Sequence, residues 1–301
     1  MKTRLCISSQ FLDPAAALAL VASIASLPAE ETAKTYPVKR QNDIKFASPG
    51  GVDLLLDLYL PESVENPPLI LFIHGGGWKN GDRKRCRMAW VAKYGYAIAS
   101  VEYRLSQEAI FPAQIHDCKG ALRWLRAHAE DYGYDASKVI VAGTSAGGHL
   151  TALMATSGDV AELEGDTGGN AEQSSRVQGA IDYYGPSDFL KRSQEHAAKT
   201  EKPSGSVYQL LGGAVQEKQE LARLASPITH VSKDDPPLLI LHGAKDKTVL
   251  IGQSEVLEAN YRETGLEARL VVEPDAGHGW KNPSDQEREA VLSFLRTHLG
   301  R

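Results

Sequence analysis

The stretch VIVAGTSAGGHL, residues 139–150, decides the fold. Its first four residues are apolar and three of them are β-branched, which predicts a strand buried on both faces, and the residues from Ser145 onward predict a helix. Two glycines flank Ser145 and permit a turn so tight that the serine lies on a strained backbone with its hydroxyl exposed. The N-terminus of the helix favours negative charge at the same point. A plain structural turn is the alternative interpretation.

Outward from this turn, short apolar runs alternate with amphipathic stretches. Strands are predicted over 54–60, 69–74, 97–101, 139–142, 177–183, 238–241 and 269–272, and helices over 87–93, 113–131, 145–156 and 285–298. Alternation of this kind is typical of α/β proteins with a mostly parallel sheet and helices on both faces. The sequence therefore predicts an α/β fold.

A second glycine-rich piece, HGGGW at residues 74–78, ends a strongly apolar run. Acyl transfer needs hydrogen-bond donors directed at the oxyanion of its tetrahedral intermediate, and backbone N–H groups of glycine serve well. Gly76 and Gly77 are predicted to supply two donors, and the N–H of Ala146 completes the oxyanion hole. His74 is interpreted as a residue that fixes the loop. A glycine turn that binds nothing is the alternative.

Two later loops offer an acid and a base. Asp246 follows the apolar run that ends at residue 241, and His278 lies in the glycine-flanked sequence AGHGW before the last helix. The chain order Ser145, Asp246, His278 is the order in which α/β-hydrolases carry their catalytic triad. Asp275 is a weaker candidate because it lies three residues before the histidine, and Asp235 because it precedes its strand. The other histidines, His149 and His242 among them, are interpreted as structural or solvated.

With these motifs, the chain resembles the α/β-hydrolase esterases, and in particular the bacterial esterase and lipase group that includes feruloyl and acetyl esterases. The resemblance runs from about residue 43 to the end of the chain. It rests on HGGGW with Gly81-Asp82-Arg83, Tyr103-Arg104-Leu105, Phe111-Pro112-Ala113, GTSAGGHL, Asp182-Tyr183-Tyr184-Gly185-Pro186, HGAKD and GHGW.

The resemblance implies the same triad and an α/β-hydrolase fold. It also implies a substrate pocket near four aromatic residues, Trp78, Tyr103, Tyr183 and Trp280. The expected protein is a secreted serine carboxylesterase for short-acyl or aromatic esters of acetyl or feruloyl type, on small molecules or on polysaccharides. This chemistry requires no metal and no organic cofactor. An amidase of formamidase or peptidase type is the alternative enzyme, and a catalytically silent binding protein is the alternative outside the enzymes.

The N-terminal region is interpreted separately. Residues 1–29 combine a basic start, Lys2 and Arg4, with the uncharged apolar run AAALALVASIASL, and so resemble a secretory signal peptide. Residues 30–42 are predicted to be a linker, and residues 43–301 a single domain in which 185–236 is a candidate lid. The expected location is secreted or periplasmic, and cytoplasmic if the segment is not a signal.

Composition excludes several classes of protein. The 301 residues carry a net charge of −5, which gives no basic footprint for nucleic acid. A mean hydropathy of −0.29 excludes a polytopic membrane protein, and no stable membrane insertion is expected. No CxxC pair occurs, so a thiolate zinc site is not expected. Cys86 and Cys118 are interpreted as free thiols, with a single disulfide as the alternative. The oligomeric state is left open.

Overall fold

A computed structural model describes residues 34–300 of the chain. The predicted signal peptide over residues 1–29 lies outside the described residues. The described strands are β1 Val38–Ala47, β2 Leu54–Pro61, β3 Pro68–Ile73, β4 Ala97–Val101, β5 Asp135–Thr144, β6 Gly179–Tyr183, β7 Leu238–Gly243 and β8 Ala268–Glu273.

These strands form one sheet in the order β1-β2-β4-β3-β5-β6-β7-β8. Strands β4, β3 and β5 to β8 are mutually parallel, whereas β2 is antiparallel to both of its neighbours. The architecture confirms the predicted mostly parallel α/β-hydrolase fold. Because Ile73 pairs with Gly143 and Thr144 with Tyr183, the carboxyl ends of β3, β5 and β6 meet at one edge of the sheet.

Helices connect and cover the strands. They are α1 Ala113–Ala127, α2 Ala129–Tyr132, α3 Ala146–Thr156, α4 Phe189–Glu195, α5 Ala197–Thr200, α6 Ser206–Leu211, α7 Gln219–Leu224, α8 Gly252–Glu263 and α9 Asp285–Leu299. Short 3₁₀ segments occupy Pro49–Gly51, Arg87–Tyr94, Ala161–Leu163 and Pro227–His230. Between residues 34 and 300, none of the helices combines the length and apolar character that a membrane crossing needs.

Each face of the sheet has its own hydrophobic core, because successive side chains of a strand point to opposite faces. Leu69, Leu71 and Ile73 of β3 belong to the core that also contains residues of α1, α3 and α8, whereas Ile70 and Phe72 belong to the core that contains residues of the 3₁₀ segment Arg87–Tyr94 and of α9. The continuous apolar sequence of β3 is thus explained by burial on both sides, as predicted.

The secondary structure differs from the prediction in three places. The predicted linker over 30–42 overlaps β1, which begins at Val38 and is part of a compact unit that begins at Thr35. β1 is an edge strand in which half of the residues are solvent-exposed and only Phe46 is buried, so it lacks the sustained apolar alternation that indicates a strand. Helix α8 was missed, and the helix predicted over 113–131 is divided into α1 and α2 near His128.

The candidate lid over 185–236 contains helices α4 to α7 and the last 3₁₀ segment. It leaves the sheet after β6 and returns to it at β7. Cys86 and Cys118 are both free thiols, which confirms the interpretation made from the sequence.

Candidate active site

Ser145 lies on a sharp turn between β5 and α3. Its backbone has φ 54° and ψ −115°, a conformation that is unfavourable for a residue with a side chain. The turn requires both of its glycines, since a Cβ at Gly143 would lie 2.3 Å from the Gly147 oxygen, and a Cβ at Gly147 would lie 2.1 Å from the Ile73 oxygen. The serine N–H donates to the Tyr183 oxygen at 2.8 Å, which ties the turn to β6.

The structure brings Ser145, His278 and Asp246 together in the geometry that their chain order predicts. Ser145 Oγ lies 2.9 Å from His278 Nε2, and His278 Nδ1 lies 2.7 Å from Asp246 Oδ2. A proton on Nδ1 is therefore held by the carboxylate, which leaves Nε2 free to accept the serine proton. The three residues come from the ends of β5, β7 and β8, so the sheet sets their spacing.

The carboxylate of Asp246 is fully buried behind the histidine. Its Oδ1 accepts hydrogen bonds from the N–H groups of Thr248 and Val249, at 2.7 and 3.0 Å. Burial alone would raise the pKa of Asp246, but hydrogen bonds from His242, His278 and the Thr248 N–H outweigh it and hold the pKa well below its usual range. Asp246 is therefore ionised whenever His278 needs a counter-charge.

The two rival acids lie elsewhere. Asp275 is exposed and pairs with Lys245 at 2.6 Å. Asp235 accepts hydrogen bonds from the backbone and side chain of Ser232, both at 2.9 Å. His242, interpreted as structural or solvated, lies fully buried beside the triad, with Nε2 2.9 Å from the Val249 oxygen and 3.4 Å from Asp246.

The glycine-rich loop after β3 lies against the same turn. Gly76 and Gly77 have φ of 125° and 63°, and a Cβ at Gly76 would lie only 1.9 Å from the Asn80 oxygen. The Asn80 N–H donates back to the Gly76 oxygen at 3.1 Å, which closes the loop. Gly76 and Gly77 line the same cavity as Ser145, and Ala146 opens helix α3 next to the serine.

The loop is braced by a buried aromatic contact. Trp78 Nε1 donates to His149 Nδ1 at 3.2 Å, and His149 Nε2 donates to the Ala225 oxygen at 2.6 Å. Burial lowers the pKa of His149 to about 4, so the ring is neutral at pH 7, as this pattern of one acceptor and one donor nitrogen requires. The sequence left open whether His149 is structural or solvated. Its buried contacts connect the glycine-rich loop, α3 and the 185–236 segment.

Two of the predicted substrate-binding aromatics are buried and do not line the cavity that contains Ser145. Tyr103 is 2% exposed, its ring stacks on His74 at 4.4 Å, and its hydroxyl donates to the His74 oxygen at 3.1 Å. Tyr183 is 0% exposed and its hydroxyl donates to Glu287 at 3.0 Å. The prediction is corrected at both positions. Tyr183 is the last residue of β6 and Tyr103 lies two residues beyond β4, and both rings are part of a hydrophobic core.

Trp280, also predicted to bind substrate, instead anchors the loop that carries His278. Its Nε1 donates to Glu287 at 2.5 Å, and its backbone oxygen accepts from Arg87. Arg87 and Glu287 form a buried ion pair at 2.6 Å. A charged clamp between the 3₁₀ segment Arg87–Tyr94 and α9 therefore holds the position two residues beyond His278.

A cavity of about 410 Å³ opens in front of Ser145. Trp78 belongs to its wall, as predicted, and so does Tyr184, which the sequence reasoning missed. The Tyr184 ring lies edge-on to His278 at 5.0 Å. Its position directly after β6, at the edge where the strands end, was the available signal. The 185–236 segment contributes the remaining side of the wall, namely Pro186, Arg192, Lys199 and Ser206.

The similarity of the chain to known protein families identifies the family to which it belongs. Residues 56–261 match the BD-FAE family. The chain belongs to the BD-FAE family. This assignment agrees with the esterase group that the sequence motifs resemble, and the matched range runs from β2 through α8, so it includes Ser145 and Asp246.

Two curated relatives of this BD-FAE protein come from Mycobacterium tuberculosis. Esterase LipQ is 31% identical over 86% of this chain and 63% of its own length. The probable carboxylic ester hydrolase LipM is 33% identical over 68% of this chain and 47% of its own length. The chain thus spans about half to two thirds of the length of these relatives.

Solved structures give the same fold. A truncated carbohydrate esterase from gut microbiota matches with a TM-score of 0.80 and 30% identity over 89% of this chain and 98% of its own. A bifunctional GH43-CE protein of Bacteroides eggerthii matches with a TM-score of 0.77 and 30% identity over 85% of this chain and 38% of its own.

Proposed function

We propose that this chain is a serine carboxylesterase that removes short or aromatic acyl groups from esters whose alcohol half is a carbohydrate. The observation that carries the proposal is the Ser145–His278–Asp246 relay, with distances of 2.9 and 2.7 Å, in the wall of one cavity. Membership of the BD-FAE family and relatives named as esterases support the same reaction.

In the reaction, Ser145 Oγ forms a bond to the ester carbonyl carbon while His278 Nε2 takes its proton. The N–H groups of Gly76, Gly77 and Ala146 stabilise the oxyanion, and Asp246 stabilises the imidazolium. The tetrahedral intermediate collapses, the C–O bond to the alcohol breaks, and His278 returns the proton to the leaving alcohol. Water then attacks the acyl-enzyme by the same steps and releases the acid.

A carbohydrate alcohol is supported by the surface beside the cavity. A groove of about 650 Å³ shares Lys79 with the cavity wall and is lined by the amides of Asn80, Gln107 and Gln209 and by Tyr208. Amides and an aromatic ring are groups that bind sugar hydroxyls and sugar faces. Of the two solved neighbours at 30% identity, one is named a carbohydrate esterase and the other a GH43-CE protein, which agrees with this substrate class.

The small size of the cavity and its aromatic residues support acetyl or feruloyl acyl groups. Trp78 and Tyr184 provide apolar surface next to Ser145, and the short helices of the 185–236 segment limit the space opposite. This segment is proposed to act as the lid of the site. Export is part of the proposal, because residues 1–29 resemble a signal peptide. Cell fractionation and the intact mass of the recovered protein test it.

The full-length protein should be assayed against p-nitrophenyl esters from acetate to palmitate, methyl ferulate and acetylated xylan. Ser145→Ala is the matched blank, since it removes the nucleophile and leaves the turn in place. Turnover of acetate and butyrate esters that is lost by orders of magnitude in this variant supports the esterase. Acetate release from xylan, or ferulate release, supports the finer substrate class.

Formanilide and peptide anilides should be assayed in parallel. Faster turnover of these amides than of any ester would replace the esterase with an amidase. Labelling by a fluorophosphonate probe separates either enzyme from a silent binding protein, because the probe reacts only with an activated serine. A folded protein that reacts with none of these reagents would contradict the proposed function.

A further inference from the structure

Arg192 of helix α4 is a buried cation in the wall of the active-site cavity. It is 3% exposed, and its Nη2 donates to the Thr248 oxygen at 2.9 Å. Its Nε and Nη1 are buried and have no hydrogen-bond partner among the described residues. Burial lowers the pKa of Arg192 to about 10, so the side chain still carries its charge at pH 7.

The carboxylates near Arg192 are committed to other groups. Glu195, one turn along α4, accepts from Lys191 at 2.9 Å and from Gln253 at 2.8 Å. Asp246 accepts from His278. In the described part of the chain, Arg192 forms no ion pair. A buried guanidinium without an ion-pair partner is costly, because the more distant charges of Glu195 and Asp246 offset only part of its desolvation.

The cavity as a whole is cationic. Its wall carries Lys79, Arg192 and Lys199, and among the described residues of that wall there is no aspartate or glutamate. Lys79 and Lys199 are long side chains at the rim, whereas Arg192 is buried. In a site of this kind a negatively charged ligand is favoured both by the field of the wall and by unused N–H donors.

We propose that Arg192 binds a carboxylate carried by the ester substrate, so that the enzyme selects anionic esters. This inference rests on the proposed function and narrows its substrate class. The carboxylate can belong to the acyl half, as in a half ester of a dicarboxylic acid, or to the alcohol half, as in an acylated uronic acid. The guanidinium lines the cavity and pairs with such a carboxylate when substrate enters. Nε and Nη1 are closed to solvent in this structure, so the Arg192 side chain shifts toward the cavity to donate from them.

The test uses two pairs of esters that differ in one carboxylate. The acyl arm compares mono-p-nitrophenyl adipate with p-nitrophenyl hexanoate. The alcohol arm compares the methyl glycosides of monoacetylated galacturonic acid and monoacetylated galactose, by release of acetate. For each pair the readout is the ratio of kcat/KM for the charged ester to kcat/KM for the neutral one. The expected ratio is above ~10-fold in one pair, which identifies the half that carries the charge.

Three variants assign this ratio to Arg192. Arg192→Met removes the charge at nearly constant length, and the ratio should fall about 10- to 100-fold. Arg192→Lys keeps the positive charge but loses the planar set of guanidinium N–H donors. It should therefore retain part of the preference for the charged ester. Arg223→Met, at an exposed arginine of α7 outside the cavity wall, should leave the ratio unchanged. Thermal unfolding of each variant establishes that it is folded.

The outcomes separate this inference from the esterase proposal. Wild-type ratios near one in both pairs, with neutral esters turned over and lost in Ser145→Ala, would overturn the role of Arg192 and leave the esterase intact. A high ratio that persists in folded Arg192→Met would also overturn it. Calorimetric titration of Ser145→Ala with the four esters measures binding without turnover, so equal affinities within each pair reject the inference even where no ester is hydrolysed.

Discussion

The two sides of the active-site cavity are built differently. The side formed by the ends of β3, β5, β7 and β8 holds its polar groups in paired contacts, such as the Ser145–His278–Asp246 relay at 2.9 and 2.7 Å. The side formed by the 185–236 segment contains Arg192, whose Nε and Nη1 lack a partner in the described chain. The first side holds the groups that we propose for the chemical step, and the second side presents the unpaired cation of Arg192 to the same cavity.

The largest expected effect is on the paired side. Asp246→Asn removes the charge that stabilises the His278 imidazolium and offers the wrong hydrogen-bond pattern to Nδ1, so kcat should fall on the order of 10⁴-fold with the fold retained. The measurement is kcat on p-nitrophenyl acetate with circular dichroism as the check of folding. Asp275→Asn is the matched control. Full activity of Asp246→Asn together with loss of activity in Asp275→Asn would show that Asp275, and not Asp246, is the acid that acts with His278.

The next effect is steric. Gly147→Ala places a Cβ 2.1 Å from the Ile73 oxygen and 2.6 Å from the His74 oxygen, both backbone atoms that cannot turn away. We expect a loss of about 3 kcal/mol or more in the free energy of unfolding, measured by urea denaturation, together with lost activity. Gly252→Ala is the control, because its nearest neighbour would lie at 3.6 Å. Equal stability of the two variants would mean that the turn tolerates side chains.

A third effect concerns the joint between the two sides. Because burial depresses the pKa of His149 from 6.5 to about 4, the unfolded chain binds the extra proton first as the pH falls. This histidine should therefore cost on the order of 3 kcal/mol of stability between pH 7 and pH 4. His149→Gln can still accept from Trp78 and donate to the Ala225 oxygen, but it does not titrate. In urea denaturation between pH 4.5 and 7, the free energy of unfolding should vary less with pH in the variant than in the wild type. The same variation in both proteins would contradict the role given to His149.

The smallest effect concerns the clamp behind His278. Glu287→Gln removes the charge that Arg87 pairs with and weakens the hold on Trp280. We expect kcat to fall about 10-fold with KM nearly unchanged, since a misplaced imidazole affects the chemical step more than binding. Glu289→Gln, at a neighbour on α9 outside the clamp, is the control. A change in KM alone would place Glu287 in substrate binding instead.

Much of the site could be predicted because its signals are local. Ser145, Asp246 and His278 each follow a strand within a few residues, and glycines mark the turns. The edge strand β1 could not be predicted in the same way, since its exposed polar side chains carry no apolar pattern. Tyr183 and Tyr184 are adjacent in sequence, yet only the second lines the cavity. Tyr183 is the last residue of β6, whereas Tyr184 lies beyond the strand with a φ of 46°, which the sequence does not show.

By itself, the sequence determined the α/β class, the chain order of the proposed triad and the glycine turns, because each depends on a few neighbouring residues and on the direction of a strand. Only the tertiary structure decided which buried polar side chains have a partner and which partner each has. Arg87 finds Glu287 two hundred residues away, whereas Arg192 finds only the Thr248 oxygen among the described residues. Burial and the choice of partner depend on how distant segments of the chain pack. The sequence alone therefore does not distinguish the ion-paired Arg87 from Arg192, which has no ion pair.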